Sequence, residues 1–500
     1  MSEVTSKRLR VALPILGTLV ILAPLAFLWQ ASWLPKSYSV MDMGYLDVGG
    51  GPAAAHGTGA GHSSEGHPSG PATATRSVID FTTDAARTAD VRVDLVAAEE
   101  KLTVGAKSVA GYTLNGKSPG PTITARQGQL VEVQLRNASV AAGITLHWHG
   151  YDLPAAMDGV AGVTQDEVPV GGEFTYRFVA DRTGTYWYHS HQVSNEQVVG
   201  GLFGALVVLP TSAKTSAPDV VVAAHTYGGT KTINGVASNL RVPAKAGQRV
   251  RVRVINTDNG SIEAWAGVPY RVAAIDGYEI HEPSDVTDRS VTITGGGRAD
   301  LEVPMPADGT AVRVQVSKGT AVILGDGDPA QPPQPTDPVD LLTYGSPKGL
   351  GFDPAQATRK FEYSIGHRPG FVKGRPGLWW SINGHLYPDV PMFVVREGDV
   401  VTMHIDNHSG DVHPMHLHGH HAVVLARNGV RASGSPWFID SLNVRDKETY
   451  DIAFVANNPG IWMDHCHNLQ HAADGMVAHL MYEGVTTPFR IGGSADNQPE

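Results

Sequence analysis

Cysteine is almost missing from this chain. Cys466 is the only one among 500 residues, which excludes an internal disulfide framework and leaves cysteine usage silent on the redox compartment. Charge is scarce as well, at 17% of residues with a net −11. That acidic excess argues against a nucleic acid or an anionic membrane surface as partner. Long helical periodicity is absent, which leaves strands to carry the fold.

What the chain has is glycine, proline and histidine, at 57, 33 and 22 residues. Runs such as Val91-Arg92-Val93-Asp94-Leu95, Leu130 to Leu135 and Phe174 to Phe178 alternate or are β-branched, with Gly and Pro between them. The same grammar recurs at Arg249 to Ile255, Val291 to Val303, Val400 to Ile405 and Thr449 to Val455. Length divided by about 150 allows three domains. Composition breaks near 212–218 and at Asp328 to Pro338 divide the chain into β-sandwich domains over 86–212, 213–338 and 339–490, with a tail over 491–500.

The N-terminus supplies an address. Lys7, Arg8 and Arg10 precede an uncharged, mostly apolar run from Val11 to Pro35. That run exceeds the roughly 7–15 residues of a secretory signal core and fits the about 20 that span a bilayer. Residues 1–35 therefore read as a transmembrane signal anchor, favoured over a cleaved signal peptide because Ala31-Ser32-Trp33 is a poor cleavage site. The basic flank places the remainder outside the cytoplasm, anchored to the outer membrane face or secreted. Residues 36–85, rich in Gly, Ala, Ser and Pro, read as a flexible linker. Its His56, His62 and His67, with Met41 and Met43, could collect copper, but a solvated linker is the favoured reading.

Ten of the 22 histidines fall in four clusters: His147-Trp148-His149-Gly150, His189-Ser190-His191, His413-Pro414-Met415-His416-Leu417-His418-Gly419, and His465-Cys466-His467 followed by His471 and Met476. One thiolate, two imidazoles and a weak thioether make a blue-copper site, and Cys466, His471 and Met476 supply three of those four ligands. Successive side chains of an extended segment point to opposite faces. His465 and His467 therefore face away from whatever Cys466 holds, toward a second metal centre. A single His-x-His pair is often only a polar strand face; four clusters, each with a period-two pair, are not a chance arrangement.

These clusters, in this order, resemble the four copper signatures of the multicopper oxidases, the group of laccases, ascorbate oxidases and bacterial cuproxidases. The resemblance covers residues 90–485, including Arg251 to Asn256, Ala274-Ile275-Asp276-Gly277 and Gly297-Arg298-Ala299-Asp300 in a middle segment without ligands. It implies three consecutive cupredoxin-like Greek-key domains and four coppers. His413 would join Cys466, His471 and an axial Met476 at a type 1 site. His147 and His416 would hold type 2 copper. The type 3 pair would take His149, His189 and His467 on one ion, and His191, His418 and His465 on the other, in a trinuclear cluster between the first and third domains. A monomer suffices, since one chain carries all four motifs.

The resemblance also implies a reaction in which a reductant gives single electrons to the type 1 site and dioxygen becomes water at the cluster. Asp158 matches an acidic residue near that cluster; its alternative is a turn aspartate in Met157-Asp158-Gly159. Many bacterial relatives place Glu four residues after the copper cysteine as a proton donor, where this chain has Gln470. A laccase-like enzyme oxidising phenols or aromatic amines is the first expectation, and a metallo-oxidase acting on Cu(I), Fe(II) or Mn(II) the second. With 11 methionines and no Met-rich insertion a dedicated Cu(I) oxidase is disfavoured. A copper-binding or electron-transfer envelope protein without oxygen chemistry would need only the Cys466 site. His404, His408, His420 and His421 read as strand or loop residues, His225, His281, His367, His385 and His479 as structural. Trp187 and Tyr188 read as packing around the cluster, and Trp379 and Trp380 as core.

Overall fold

The computed structural model describes residues 18, 20, 22–50, 75–83, 85–212 and 219–500. Strands dominate, and most of them fall into three pairs of sheets. In the first, Val91–Val104, Lys107–Leu114, Leu130–Asn137 and Glu173–Val179 face a sheet of Ile123–Arg126, Phe203–Leu209, Gly184–His189 and His147–His149. The alternation seen in the sequence is what packs them: Val131, Val133 and Leu135 point inward from one strand, Tyr176 and Phe178 from its neighbour, onto Trp148 and Tyr188. A six-stranded and a five-stranded sheet follow, closed over Val252, Val254, Leu301 and Val314. The last pair, of six and seven strands, closes over Phe393, Ile405, Phe454 and Trp462.

The segment expected as a linker over 36–85 is paired at both described ends. Ser37–Tyr38 runs antiparallel to Ile491–Gly492, Tyr45–Asp47 adds a parallel strand to Pro391–Val395, and Arg76–Ser77 pairs with Val485–Thr486. Val40 and Met43 are buried in the third core, and Met41 packs against it. The reason is the edge: Pro391–Val395 presents unpaired backbone groups that an extended segment covers. Composition averaged over 36–85 hides this. His56, His62 and His67 lie outside the described residues.

Residues 22–31 are helical, and Leu22, Phe27 and Trp29 on them are exposed. The helix meets a long hairpin, Arg359–Val372 with Arg375–Ile382, where Trp29 Nε1 donates to Gly374 O at 3.0 Å and Gly374 N to Ser32 Oγ at 3.1 Å. Among the described residues no helix is long and apolar enough to cross a membrane. Positions 11–17, 19 and 21 of the expected span, like 213–218 at the expected domain boundary, lie outside them.

Candidate metal centre

Strand pairing assembles the histidines. His147–His149 runs antiparallel to Gly184–His189, so that His189 opposes His147 and Trp187 opposes His149. Trp148 points the other way, into the first core. In the third sandwich His413–Leu417 pairs with Ile461–Cys466, setting His416 opposite His465 and Met415 opposite Cys466. The two pairs meet face to face: His149 stacks on His416 at 3.6 Å between ring centroids, and His147 on His418 at 3.7 Å.

Among the described residues five groups of side chains each bring ligand atoms within 4.8 Å of one another: His147, His149 and His416; His149, His189 and His467; His191, His418 and His465; His413, Cys466 and His471; and His147, Asp158 and His418. The eight histidines of the first three groups are buried. Burial, then repulsion among the rings, holds His149, His189, His416, His418 and His465 well below the usual imidazole range and brings His191 and His467 down to about 3. Those seven rings are thus neutral, with lone pairs to offer.

Which nitrogen offers the lone pair follows from the acceptors around it. The His147 Nδ1–H donates to Asp158 O at 3.0 Å, His189 Nδ1–H to Ser190 O at 2.9 Å, His191 Nδ1–H to Pro499 O at 3.0 Å and His416 Nδ1–H to Asp440 O at 2.8 Å. Each ring then presents a bare Nε2. His149 is reversed, with Nε2–H directed at Asp440 Oδ1 at 3.1 Å and Nδ1 left without a partner. Bare His147 Nε2 lies 3.4 Å from His416 Nε2, and His418 Nε2 lies 3.2 Å from His465 Nε2. Bare His147 Nε2 and bare His416 Nε2 are two acceptors that repel in a dry interior unless a cation lies between them, and Nε2 of His189 and His191 and both ring nitrogens of His467 are buried without a partner. Soft-to-borderline imidazole donors on this scale fit copper.

The fourth group is smaller and softer. Cys466 Sγ is 3.6 Å from His413 Nδ1 and 3.7 Å from His471 Nδ1, and those two nitrogens are 3.2 Å apart. Burial pushes the Cys466 thiol well above its usual range, so only a bound metal would make it a thiolate here. Met476 is buried beside it, its carbonyl accepting from Cys466 N at 3.1 Å. Outer partners orient both rings: Ser409 Oγ is 2.7 Å from His413 Nε2, and the Asn468 amide 2.9 Å from His471 Nε2. The His471 side of the group lines an open cleft of about 410 Å³ together with Glu263, Asp411, Asn443 and Asn468.

Asp158 is no solvated turn residue. It is buried, with Oδ1 3.1 Å from His147 Nδ1 and Oδ2 3.1 Å from His418 Nδ1, bridging rings from two sandwiches. Gln470 is exposed, held by Asn195 and Asp474, and faces no cluster ring. Two acids were invisible in the sequence. Asp440 holds His149 and His416 and is itself gripped by Arg298 and His421. Burial raises its pKa, but those cations outweigh burial and hold it well below the usual carboxylate range. Glu500, in the expected tail, has a side chain only 9% exposed, accepts from Ser194 Oγ at 2.7 Å and sets Oε1 3.2 Å from His465 Nδ1. Burial pushes its carboxyl up to about 8. Neither acid lies in a histidine motif, and no local pattern marks them. His421, read as a strand or loop residue, ties Asp440 at 3.1 Å to Asp152 at 3.0 Å, while His420 pairs with Tyr482 Oη at 2.7 Å.

Residues 96–213 and 354–484 each match a sequence profile described as multicopper oxidase. Multicopper oxidase MmcO of Mycobacterium tuberculosis is 28% identical over 447 residues, 76% of this chain and 85% of that protein. Laccase-1 of Botryotinia fuckeliana is 28% identical over 473 residues, 79% of this chain and 83% of that protein. The crystal structure of a multi-copper oxidase from Pseudomonas thermotolerans aligns with a TM-score of 0.64 at 26% identity, covering 78% of this chain and 98% of that one.

Proposed function

The chain belongs to the multicopper oxidase family, as an oxidoreductase with dioxygen as acceptor, and from that premise we propose a laccase-like enzyme that takes single electrons from phenols or aromatic amines and reduces dioxygen to water. Bound copper supplies the one-electron redox chemistry that ordinary side chains lack. His413, Cys466, His471 and Met476 would hold type 1 copper, and His147 with His416 type 2. His149, His189 and His467 would hold one type 3 ion and His191, His418 and His465 the other, four coppers per chain. The observation that carries this assignment is the buried apposition of bare His147 Nε2 and His416 Nε2 at 3.4 Å, beside Nε2 atoms of His189 and His191 that have no hydrogen-bond partner.

The chain's own groups do the rest. Asp158 fixes His147 and His418 with Nε2 outward and is the acid we assign to the cluster's proton supply. Asp440 fixes His149 and His416. Cys466 is covalently continuous with His465 and His467, so one short peptide joins both centres. His471 lines a cleft of about 410 Å³, with Asn443 and Asn468 at its wall. A second reading, a metal-ion reductant, has its own support: Glu263 Oε2 has no hydrogen-bond partner, and Asp411 lines the same cleft. We place the catalytic domains outside the cytoplasm, tethered by residues 11–35. The exposed apolar side chains of Leu22, Leu25, Phe27 and Leu28 support that placement. One chain contributes every ligand, which supports a monomeric site.

The test is dioxygen uptake by the copper-loaded full chain with 2,6-dimethoxyphenol, Cu(I), Fe(II) and Mn(II) in turn. The highest kcat/KM is expected with the phenol. A metal ion outrunning it would favour the second reading, and no uptake with any donor beside an intact blue absorbance would overturn both.

A further inference from the structure

Three aromatic rings run in contact from the surface of the long hairpin to the cysteine site. His367, on Arg359–Val372, pairs in register with Trp380 on Arg375–Ile382, and their rings stack at 4.1 Å and 29°. Trp380 in turn lies over His471 at 4.3 Å and 37°, and meets His413 edge-on at 4.8 Å. His367 and Trp380 are half-buried, and Arg368, Pro369 and Leu378 beside them are exposed. The cleft of about 410 Å³ at His471 is lined by other residues, Asp411, Asn443 and Asn468 among them. His471 therefore has two approaches: an open cleft, and a stack of rings ending on a hairpin face.

Packing alone would account for one ring against the core. It does not call for a histidine stacked on the outer side of a tryptophan that already touches both histidines of the cysteine group. Rings in van der Waals contact, stacked at His367–Trp380 and tilted at Trp380–His471, pack favourably, and they also shorten the gap an electron must cross between the surface and His471. We propose that His367 and Trp380 form a second electron-entry port, serving one-electron donors too large for the cleft, of the size of a small redox protein. The inference rests on the reading of His413, Cys466 and His471 as the type 1 site. In the step a docked donor loses one electron and the type 1 ion gains it. No bond forms or breaks in the rings, and no proton moves between them.

The experiment uses the copper-loaded full chain without oxygen and follows bleaching of its blue absorbance by stopped flow. Two probes are compared: 2,6-dimethoxyphenol, which fits the cleft, and a reduced small c-type cytochrome, which does not. The midpoint potential of the blue band is titrated in every variant so that rates are compared at known driving force. Trp380→Leu is expected to lower the cytochrome-to-phenol rate ratio by about tenfold or more, or about 1.4 kcal/mol of barrier. Trp380→Phe, which keeps a ring, should restore most of that ratio, and His367→Ala should lower it in the same direction. A ratio unchanged in Trp380→Leu, with both donors slowed alike, would overturn the port and leave Trp380 as packing. Absence of any blue band from the copper-loaded wild type would overturn the type 1 reading itself.

Discussion

Arg298→Met tests whether the interdomain charge network holds the cluster. Arg298 is fully buried, its Nη1 2.6 Å from Asp440 Oδ1 and its Nη2 2.5 Å from Oδ2, with Nε donating to Thr185 O at 3.1 Å. A methionine keeps much of the volume and removes the fork. Asp440, equally buried, is then left with His421 as its remaining cation. Removing one partner of a buried ion pair costs about 3–5 kcal/mol, because the surviving charge stays desolvated. The damage should also reach the metals. Asp440 directs His149 through Oδ1 and His416 through its carbonyl, and losing such an outer partner lowers metal affinity about 10–100-fold. Urea unfolding of the copper-free chain measures the first effect, and copper titration against a chelator the second. The double variant Arg298→Met with Asp440→Leu removes both charges and should recover part of the stability without recovering copper affinity. A single variant within about 1 kcal/mol of wild type, the range of an exposed pair, would refute the argument. So would lost stability with unchanged copper affinity.

The same network should make stability depend on pH through His421. Burial lowers its pKa, but Asp152 and Asp440 outweigh burial and raise it to about 8. A raised value stabilises the folded state below the ordinary imidazole pKa, here by about 2 kcal/mol, and the gain is lost as pH climbs through 8. Urea midpoints of wild type and His421→Gln should therefore converge between pH 6 and pH 9; a gap that stays constant would contradict this. Asp158→Ala removes the acceptor shared by His147 and His418 and should weaken copper at the cluster about 10–100-fold while sparing the blue band, read by metal analysis and absorbance. Val40→Ala, in the segment docked on the third core, should cost about 2 kcal/mol in unfolding measurements. A free linker would lose nothing.

The site was legible where chemistry follows local geometry. His147 with His149, His189 with His191 and His416 with His418 sit two apart, and a strand turns that spacing into one shared face. Cys466 stood out because no other cysteine competes with it. What escaped comes from long-range contact. Asp440 reaches the cluster only when Ser441–Val444 pairs with His413–Leu417, and Glu500 only after the chain returns past the third sandwich. Ser37 to Asp47 looked like spacer because nothing local shows that a sheet edge awaits it. Trp380 does pack against the third core, as its residue type suggests, but only the hairpin register also places it on His471. Gln470 marked a missing acid, yet its exposed position shows that the acids at the rings, Asp158, Asp440 and Glu500, come from elsewhere.

The central claim, two connected copper centres meeting at Cys466, is tested most directly by counting copper in wild type and Cys466→Ser while recording the visible and paramagnetic resonance spectra. Wild type should carry four coppers and a blue band. The variant should lose the band and one copper, and keep three ions in the histidine cluster with the fold intact. A variant that sheds all its copper, or one that keeps the blue band, would contradict the account.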